Sequence, residues 1–158
     1  MIKLYHGTNV DFQKVNLKRC RPNKDFGRGF YLTDLRNQAL RMAQRRCEFE
    51  GKGNVIVQVY EFDEIHLTDQ SLKVKIFEKV TEEWAKFIIE NRNPRSKNET
   101  EYDVVVGPIA DDGVVYQLSR YSAGFIDLKT LVKELTFKKL SRQYFFGTEK
   151  AVSYLKRI

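Results

Sequence analysis

Two short segments near the start of the chain carry residue types that suit a phosphate-bearing ligand. They are Tyr5-His6-Gly7-Thr8 and Gly27-Arg28-Gly29-Phe30-Tyr31. A neutral imidazole donates and accepts hydrogen bonds at once, and glycine lets a backbone approach closely. An aromatic face attracts a cationic ring, and a guanidinium fork fits phosphate oxygens. Each segment alone is a weak signal, but the two in this order, with an amphipathic helix directly after the tyrosine, indicate a binding site.

The hydrophobic pattern predicts the elements that hold these segments. Residues 2–7 and 29–33 read as strands, and the polar stretch 9–28 between them reads as a long loop, a kind that tends to be functional or mobile. A helix is predicted from Asp34 to about Glu50, where Gly51 stops it. We expect its buried stripe to comprise Leu35, Ala39, Met42, Ala43 and Cys47.

The rest of the chain alternates further strands and helices. Residues 54–62 read as a half-buried strand, and we expect residues 71–77 to pair with it. A helix over 81–92 places Trp84, Phe87 and Ile88 in the core, and 93–101 is a polar surface loop. The remaining elements are a strand over 102–107, helices over 113–121 and 127–135, a strand over 143–147 and a helix from Thr148. This order predicts an α+β fold in one domain over residues 1–158.

Composition narrows the class of protein. The 158 residues carry a formal net charge of +7, which suits a phosphate-rich partner such as a dinucleotide or a nucleic acid. We find no signal peptide and no apolar run long enough to span a membrane, so we expect a cytoplasmic protein. Cys20 and Cys47 lie in no metal-binding pattern, and we expect two free thiols and no metal.

The motifs resemble those of a known enzyme class. Asp25-Phe-Gly-Arg-Gly-Phe-Tyr-Leu-Thr33 resembles the Phe-Gly-Lys-Gly-Ile-Tyr-Phe stretch of the poly(ADP-ribose) polymerases, and Tyr5 to Thr8 resembles their first motif. Gln143-Tyr-Phe-Phe-Gly-Thr148 resembles their last motif strand. These features are typical of the diphtheria-toxin-like ADP-ribosyltransferases, whose signature residues are His, Tyr and Glu. Their fold implies a split β-sheet core with flanking helices.

A closer resemblance, over nearly the whole chain, is to the bacterial family called domain of unknown function 3990. It is carried by Lys24 to Tyr31, Gln38-Ala39, Glu83-Trp84, Tyr102 to Pro108, Asp112 and Gln143 to Phe146.

The resemblance implies NAD as co-substrate and a role for each motif residue. His6 donates and accepts hydrogen bonds at the hydroxyls of the adenine-side ribose, and Gly7 pairs its N–H and C=O with the nicotinamide carboxamide. Tyr31 stacks on the nicotinamide ring, and Arg28 lies beside the pyrophosphate. The implied NAD-binding residues are His6, Gly7, Thr8, Asn9, Gly27, Arg28, Gly29, Phe30, Tyr31 and Ala39. The implied catalytic residues are His6, Tyr31, Gln143 and Asp112.

The third signature position departs from the polymerases, because Gln143 stands where they have a glutamate. An amide accepts a hydrogen bond but supplies no negative charge and no general base. Three interpretations remain: Gln143 orients the ribose while the acceptor brings its own nucleophile, a nearby carboxylate supplies the charge, or the protein binds NAD without transfer. Asp112 is the first candidate for the carboxylate, although Asp111-Asp112-Gly113 is also an ordinary turn. For Asp103, we expect Arg92 or Arg95 as a structural partner.

We therefore expect a mono-ADP-ribosyltransferase that releases nicotinamide and modifies RNA, DNA or a protein. By analogy with the family, it is an intracellular bacterial toxin of a toxin–antitoxin or phage-defence system, with an antitoxin protein as partner and no membrane association. The alternatives are an NAD glycohydrolase and a catalytically silent module that binds NAD or ADP-ribose. A transferase of RNA 2′-phosphate is a weaker alternative, because it would want more arginines at motif positions.

Overall fold

A computed structural model describes residues 1–96, 101–136 and 141–158 of the chain. Its strands are β1 (Ile2–Thr8), β2 (Phe30–Thr33), β3 (Ile56–Phe62), β4 (Val74–Ile76), β5 (Val104–Pro108), β6 (Arg142–Phe146) and β7 (Lys156–Arg157). Its helices are α1 (Arg36–Glu50), α2 (Glu82–Arg92), α3 (Asp112–Ser122), α4 (Leu128–Thr136) and α5 (Glu149–Val152). The predicted α+β class is confirmed. Residues 97–100 of the predicted polar loop lie outside the described residues.

The strands form one seven-stranded sheet in the order β4-β5-β6-β2-β1-β3-β7. The expected pairing of residues 71–77 with 54–62 is wrong. β4 instead runs parallel to β5, with Val74 opposite Val104, at the far side of the sheet from β3. An alternating pattern specifies which face of a strand is buried but not its neighbour, and the helix α2 provides the crossover that a parallel pair requires.

The pairing between β1 and β2 is short. β1 pairs with β3 at seven positions, from Ile2 opposite Phe62 to Thr8 opposite Ile56. Within the described part of the chain, its pairing with β2 consists of Tyr5 opposite Thr33. We call the unpaired stretch beyond that pair, between residues 6–8 of β1 and residues 30–32 of β2, the seam. Here the backbone edge of β1 faces β2 without a ladder.

Each face of the sheet carries its own hydrophobic cluster. On one face Leu4, Phe30, Phe62 and Phe146 pack together. On the other, Phe145 packs with residues of the helices α2, α3 and α4 and with Phe26, which lies in the loop before β2. Trp84 and Ile88 are fully buried in this second cluster, as predicted. The two clusters hold the seam between them, because neighbouring residues of a strand point to opposite faces.

The helix α1 lies unusually close to β1. A Cβ atom added at Gly7 would lie 1.9 Å from the backbone oxygen of Ala39 and 2.9 Å from the backbone nitrogen of Ala43. The predicted buried stripe is therefore only partly correct. Ala39 and Ala43 are buried, whereas Leu35 and Met42 are 48% and 51% exposed, because only small side chains fit between the helix and the strand. The helix ends at Gly51 in the left-handed conformation, as its sequence predicts.

Two further features of the described residues bear on function. None of their helices combines the length and the apolar character needed to cross a membrane. Cys20 and Cys47 are both free thiols, as expected.

Candidate functional site

His6 lies at the seam with one ring nitrogen already engaged. Its Nδ1 lies 2.8 Å from the backbone oxygen of Tyr31. A carbonyl oxygen only accepts, so Nδ1 carries the proton. Burial lowers the pKa of His6 to about 4, and the positive charge of Arg46 acts in the same direction, against the opposing effect of the hydrogen bond to Tyr31. The ring is therefore neutral at pH 7, and Nε2, which has no partner among the described residues, is a hydrogen-bond acceptor.

The Tyr31 side chain fixes the loop that precedes β2. Its hydroxyl donates to the backbone oxygen of Gly27 at 2.7 Å and accepts from the backbone nitrogen of Phe26 at 2.9 Å. Its ring packs against Phe145 with 5.1 Å between centroids. Burial raises the pKa of the Tyr31 hydroxyl well above its ordinary value, so it stays protonated. The tyrosine thus holds the Gly27-Arg28-Gly29 turn against the sheet.

Gln143 is buried beside a carboxylate that the sequence did not connect with it. Its Nε2 donates to Oδ2 of Asp25 at 2.8 Å and lies 3.4 Å from the backbone oxygen of Pro108. Both partners are acceptors, which fixes the orientation of the amide even though its two terminal atoms are hard to distinguish by shape. Oε1 of Gln143 has no partner among the described residues and is a second acceptor.

Asp25 is held from three sides. It is 6% exposed, and its Oδ1 accepts from Nε of Arg92 at 2.7 Å and lies 2.5 Å from Nη2 of the same arginine. Its Oδ2 also accepts from the backbone nitrogen of Ala110 at 3.3 Å. A buried carboxylate needs partners of this kind. Asp25, rather than Asp103, is therefore the partner of Arg92.

Asp112, the first candidate for the charged group, does not contact Gln143, and the carboxylate that does is Asp25. The Asp112 side chain is 91% exposed in the first turn of α3 and lies 3.9 Å from Arg45 of α1. A polar residue at a helix start is well placed to stay in solvent. Asp103 has separate structural partners: its carboxylate accepts from the backbone nitrogen of Lys73 and from the hydroxyl of Thr148.

Several implied NAD-binding residues have structural roles. Gly7 faces the α1 backbone, and a Cβ at Gly29 would lie 2.2 Å from the Phe145 ring. Asn9 is buried and donates to Oε2 of Glu50 and the backbone oxygen of Lys52, which ties the loop to the end of α1. The buried Thr8 contacts Val10, and Ala39 contributes its backbone to the Gly7 contact. The Phe30 ring packs against the His6 ring with 4.5 Å between centroids.

Positive charge surrounds the His6 side of the site. Burial lowers the pKa of His6 and raises that of Cys20, and the charge of Arg46 on α1 acts downward on both. The hydrogen bond from Asn9 lowers the pKa of Glu50, and Arg46 adds to that effect. The exposed Arg28 also acts on Cys20, so the turn and the helix bring their cations towards the same region. Arg28 is the residue that the resemblance implies beside the pyrophosphate, and Arg46 is a second cation whose charge acts on His6. An anionic ligand near His6 would be attracted by both.

The sequence profile of a family described as "Protein of unknown function (DUF3990)" matches residues 2–157. The chain belongs to the DUF3990 family. No curated protein and no solved structure matches it significantly.

This DUF3990 chain places His6 and Gln143 on opposite sides of the seam. His6 packs with Phe30 on one face of the sheet, whereas Gln143 shares the face of Tyr31 and Phe145, to which its strand register assigns it. The described residues contain no group of three or more metal-ligating side chains.

Sequence reasoning missed Asp25 and Arg92 as members of the site. A weak signal existed, because Asp25 is the one acidic residue between Lys14 and Arg28, a stretch rich in cations. Its partner Gln143 lies 118 residues away along the chain, on a strand whose neighbours the pattern does not reveal.

Proposed function

We propose that this DUF3990 protein is an NAD-dependent mono-ADP-ribosyltransferase. One observation carries the proposal: at each side of the seam, protein partners lock a polar side chain so that it presents an acceptor atom. These atoms are Nε2 of His6 and Oε1 of Gln143. NAD offers hydroxyl donors on two riboses joined by a pyrophosphate, which suits two separated acceptors, with the positive charge of Arg46 acting on the His6 end. The resemblance of the motifs to diphtheria-toxin-like transferases supports the same ligand.

Each residue has a defined part in binding. His6 accepts from a hydroxyl of the adenine-side ribose, which corrects the expectation that it also donates, because its donor is held by Tyr31. Arg28 and Arg46 attract the pyrophosphate, and the guanidinium fork suits its oxygens. The backbone edge of β1 at Gly7 faces the seam without a ladder partner and suits a planar carboxamide. The exposed part of the Tyr31 ring supports the nicotinamide.

The reaction breaks the bond between nicotinamide and the ribose C1′, and the acceptor forms a new bond to C1′ while losing a proton. Gln143 holds the ribose through Oε1 as positive charge develops on the sugar. It is not a general base, so the acceptor must bring its own nucleophile. The products are nicotinamide, the ADP-ribosylated acceptor and a proton.

The positive surface favours a nucleic acid as acceptor, with an acidic protein as the other class. Arg41 and Arg45 are exposed on α1, next to the exposed Phe49, and interleaved arginine and aromatic side chains suit nucleic acids. By family analogy, the biology is that of an intracellular toxin in a toxin–antitoxin or phage-defence system. A neutralising antitoxin protein is then its partner.

The test is release of nicotinamide by the purified chain. NAD is supplied alone, then with RNA, with DNA and with an acidic protein, and nicotinamide is quantified by chromatography. Release that requires one acceptor supports the transferase and identifies the acceptor class. Release without any acceptor supports an NAD glycohydrolase instead, and NAD binding without release under any condition refutes the enzyme.

A second candidate function is a silent module that binds NAD or ADP-ribose. The amide of Gln143 favours it, because no carboxylate oxygen takes that position. A module of this kind would bind ADP-ribose as tightly as NAD and release nothing, which calorimetric titration with both ligands distinguishes from the enzyme.

A further inference from the structure

We infer that Asp25 is a positioning residue that supplies the negative charge of the site through Gln143. The inference rests on the proposed function and deepens it. The charge that a glutamate would bring directly to the ligand lies instead one hydrogen bond behind the amide. The site then contains one hydrogen-bonded unit of Asp25, Gln143 and Arg92. In this unit, the role of Gln143 depends on the carboxylate of Asp25.

The first step is the orientation of the amide. Nε2 of Gln143 lies 2.8 Å from Oδ2 of Asp25, and both residues are buried, at 8% and 6% exposure. An amide has one donor end and one acceptor end, and a carboxylate only accepts. Asp25 therefore turns the donor end inward, and Oε1 is left to face a ligand.

The second step is the charge. Hydrogen bonds to an ionised partner are shorter and stronger than neutral ones, and linked bonds polarise one another. The Asp25 carboxylate polarises the Gln143 amide in the direction that places more negative charge on Oε1. Arg92 holds the other carboxylate oxygen and keeps Asp25 in place. This arrangement stabilises positive charge on a sugar without a carboxylate in direct contact with the ligand.

The third step concerns substitutions. Gln143→Glu would place two carboxylates within hydrogen-bond distance, and like charges so close cannot both be ionised. Asp25→Asn would let the two amides rearrange and turn the Gln143 donor end towards the ligand. In the combined variant Asp25→Asn/Gln143→Glu, the new amide at position 25 donates to the new carboxylate at position 143, so the donor–acceptor match returns. It does not return fully, because the Pro108 carbonyl would then face a carboxylate oxygen.

The experiment measures kcat/KM for nicotinamide release, the NAD dissociation constant and the melting temperature for the two single variants and the combined variant. Asp103→Asn is the matched control, because it makes the same change in a hydrogen-bonded carboxylate elsewhere. We expect each single variant to lose about tenfold or more in kcat/KM, as for a lost charge-assisted hydrogen bond. If the two substitutions acted independently, their losses in kcat/KM would multiply. We expect the combined variant to have a kcat/KM about tenfold higher than that multiplied value, because the effects of coupled residues are not additive.

Additional readouts separate positioning from simple structural support. Gln143→Glu should make kcat more dependent on pH than in the original protein, because two carboxylates within hydrogen-bond distance share a proton. Losses that multiply in the combined variant, or an Asp25→Asn protein that behaves like Asp103→Asn, would overturn the inference. If the original protein binds NAD but releases nothing, the proposed function fails, and the same coupling is then measured in the dissociation constants.

Discussion

The contact between Gly7 and α1 makes a quantitative prediction about the Gly7→Ala variant. The added Cβ would lie 1.9 Å from the Ala39 oxygen and 2.9 Å from the Ala43 nitrogen. An ordinary contact between carbon and oxygen is about 3.3 Å or more, so the helix must move away from β1 by about 1.4 Å. The atoms in the way belong to the backbone, and no side-chain rotation relieves the clash. The displacement also loosens the packing of Ala39 and Ala43.

Overpacking of a core typically costs about 1–3 kcal/mol, and a clash with backbone belongs at the upper end, about 3 kcal/mol. For a chain of this size, that corresponds to a fall in melting temperature of about 6–12 °C. The matched control is Gly51→Ala. Its Cβ would meet nothing within 4 Å, so only the left-handed φ of 62° opposes the substitution. That conformation costs an L-residue about 1–2 kcal/mol.

The assay is urea denaturation followed by circular dichroism, with thermal melts in parallel. If Gly7→Ala loses no more stability than Gly51→Ala, the close packing of α1 on β1 is wrong. The same variants address the implied ligand role of Gly7. A loss of NAD binding with unchanged stability would mean that the glycine serves the ligand and not the helix.

Three further predictions concern side chains of the site. The folded-state pKa of His6 is lowered to about 4, so on acidification the unfolded chain binds a proton before the folded chain does. The free energy of unfolding should therefore fall between pH ~6.5 and ~4 by on the order of 3 kcal/mol. Denaturation at several pH values should show a smaller fall for His6→Gln, and equal profiles for the two proteins would contradict the burial of a neutral ring. Tyr31→Phe removes the hydrogen bonds of the hydroxyl to Gly27 and Phe26. It should lower the free energy of unfolding, measured by urea denaturation, by about 2 kcal/mol, and it should weaken NAD binding measured by calorimetry. Unchanged values would show that the hydroxyl does not hold the turn. Asp112→Asn should keep full nicotinamide release, because its exposed carboxylate lies in solvent; a large loss of activity would restore Asp112 as the charged group.

Local features of the fold were predictable from the sequence. α2 was predicted from the spacing of Trp84 and Ile88, because that signal lies within one element. Strand partners were not predictable in the same way. β4 was assigned to the wrong neighbour because its alternation is compatible with either side of the sheet, and only the packing of α2 decides between them.

The same distinction between local and distant signals applies to the site. His6, Tyr31 and Gln143 were identified from motifs, but the atoms that they leave free depend on distant partners. The donor end of the Gln143 amide is hydrogen-bonded to Asp25, which lies 118 positions away along the chain. Likewise, Leu35 and Met42 have the spacing of a buried stripe and are nevertheless exposed. At Gly7 of β1 the backbone of α1 lies so close that large side chains do not fit between the helix and the strand.

The short pairing at the seam also affects how the protein opens. The strands β4, β5, β6 and β2 form one half of the sheet, and β1, β3 and β7 form the other. Among the described residues, the hydrogen bonds along this line are few, namely the backbone pair Tyr5 with Thr33 and the contact of the His6 side chain, although the cluster of Leu4, Phe30, Phe62 and Phe146 packs across it. Proteins open locally where such connections are few, in cooperative units below global unfolding. A ligand bound across the seam would fasten the two halves together, so amide hydrogen exchange at the seam would slow more than exchange in either half.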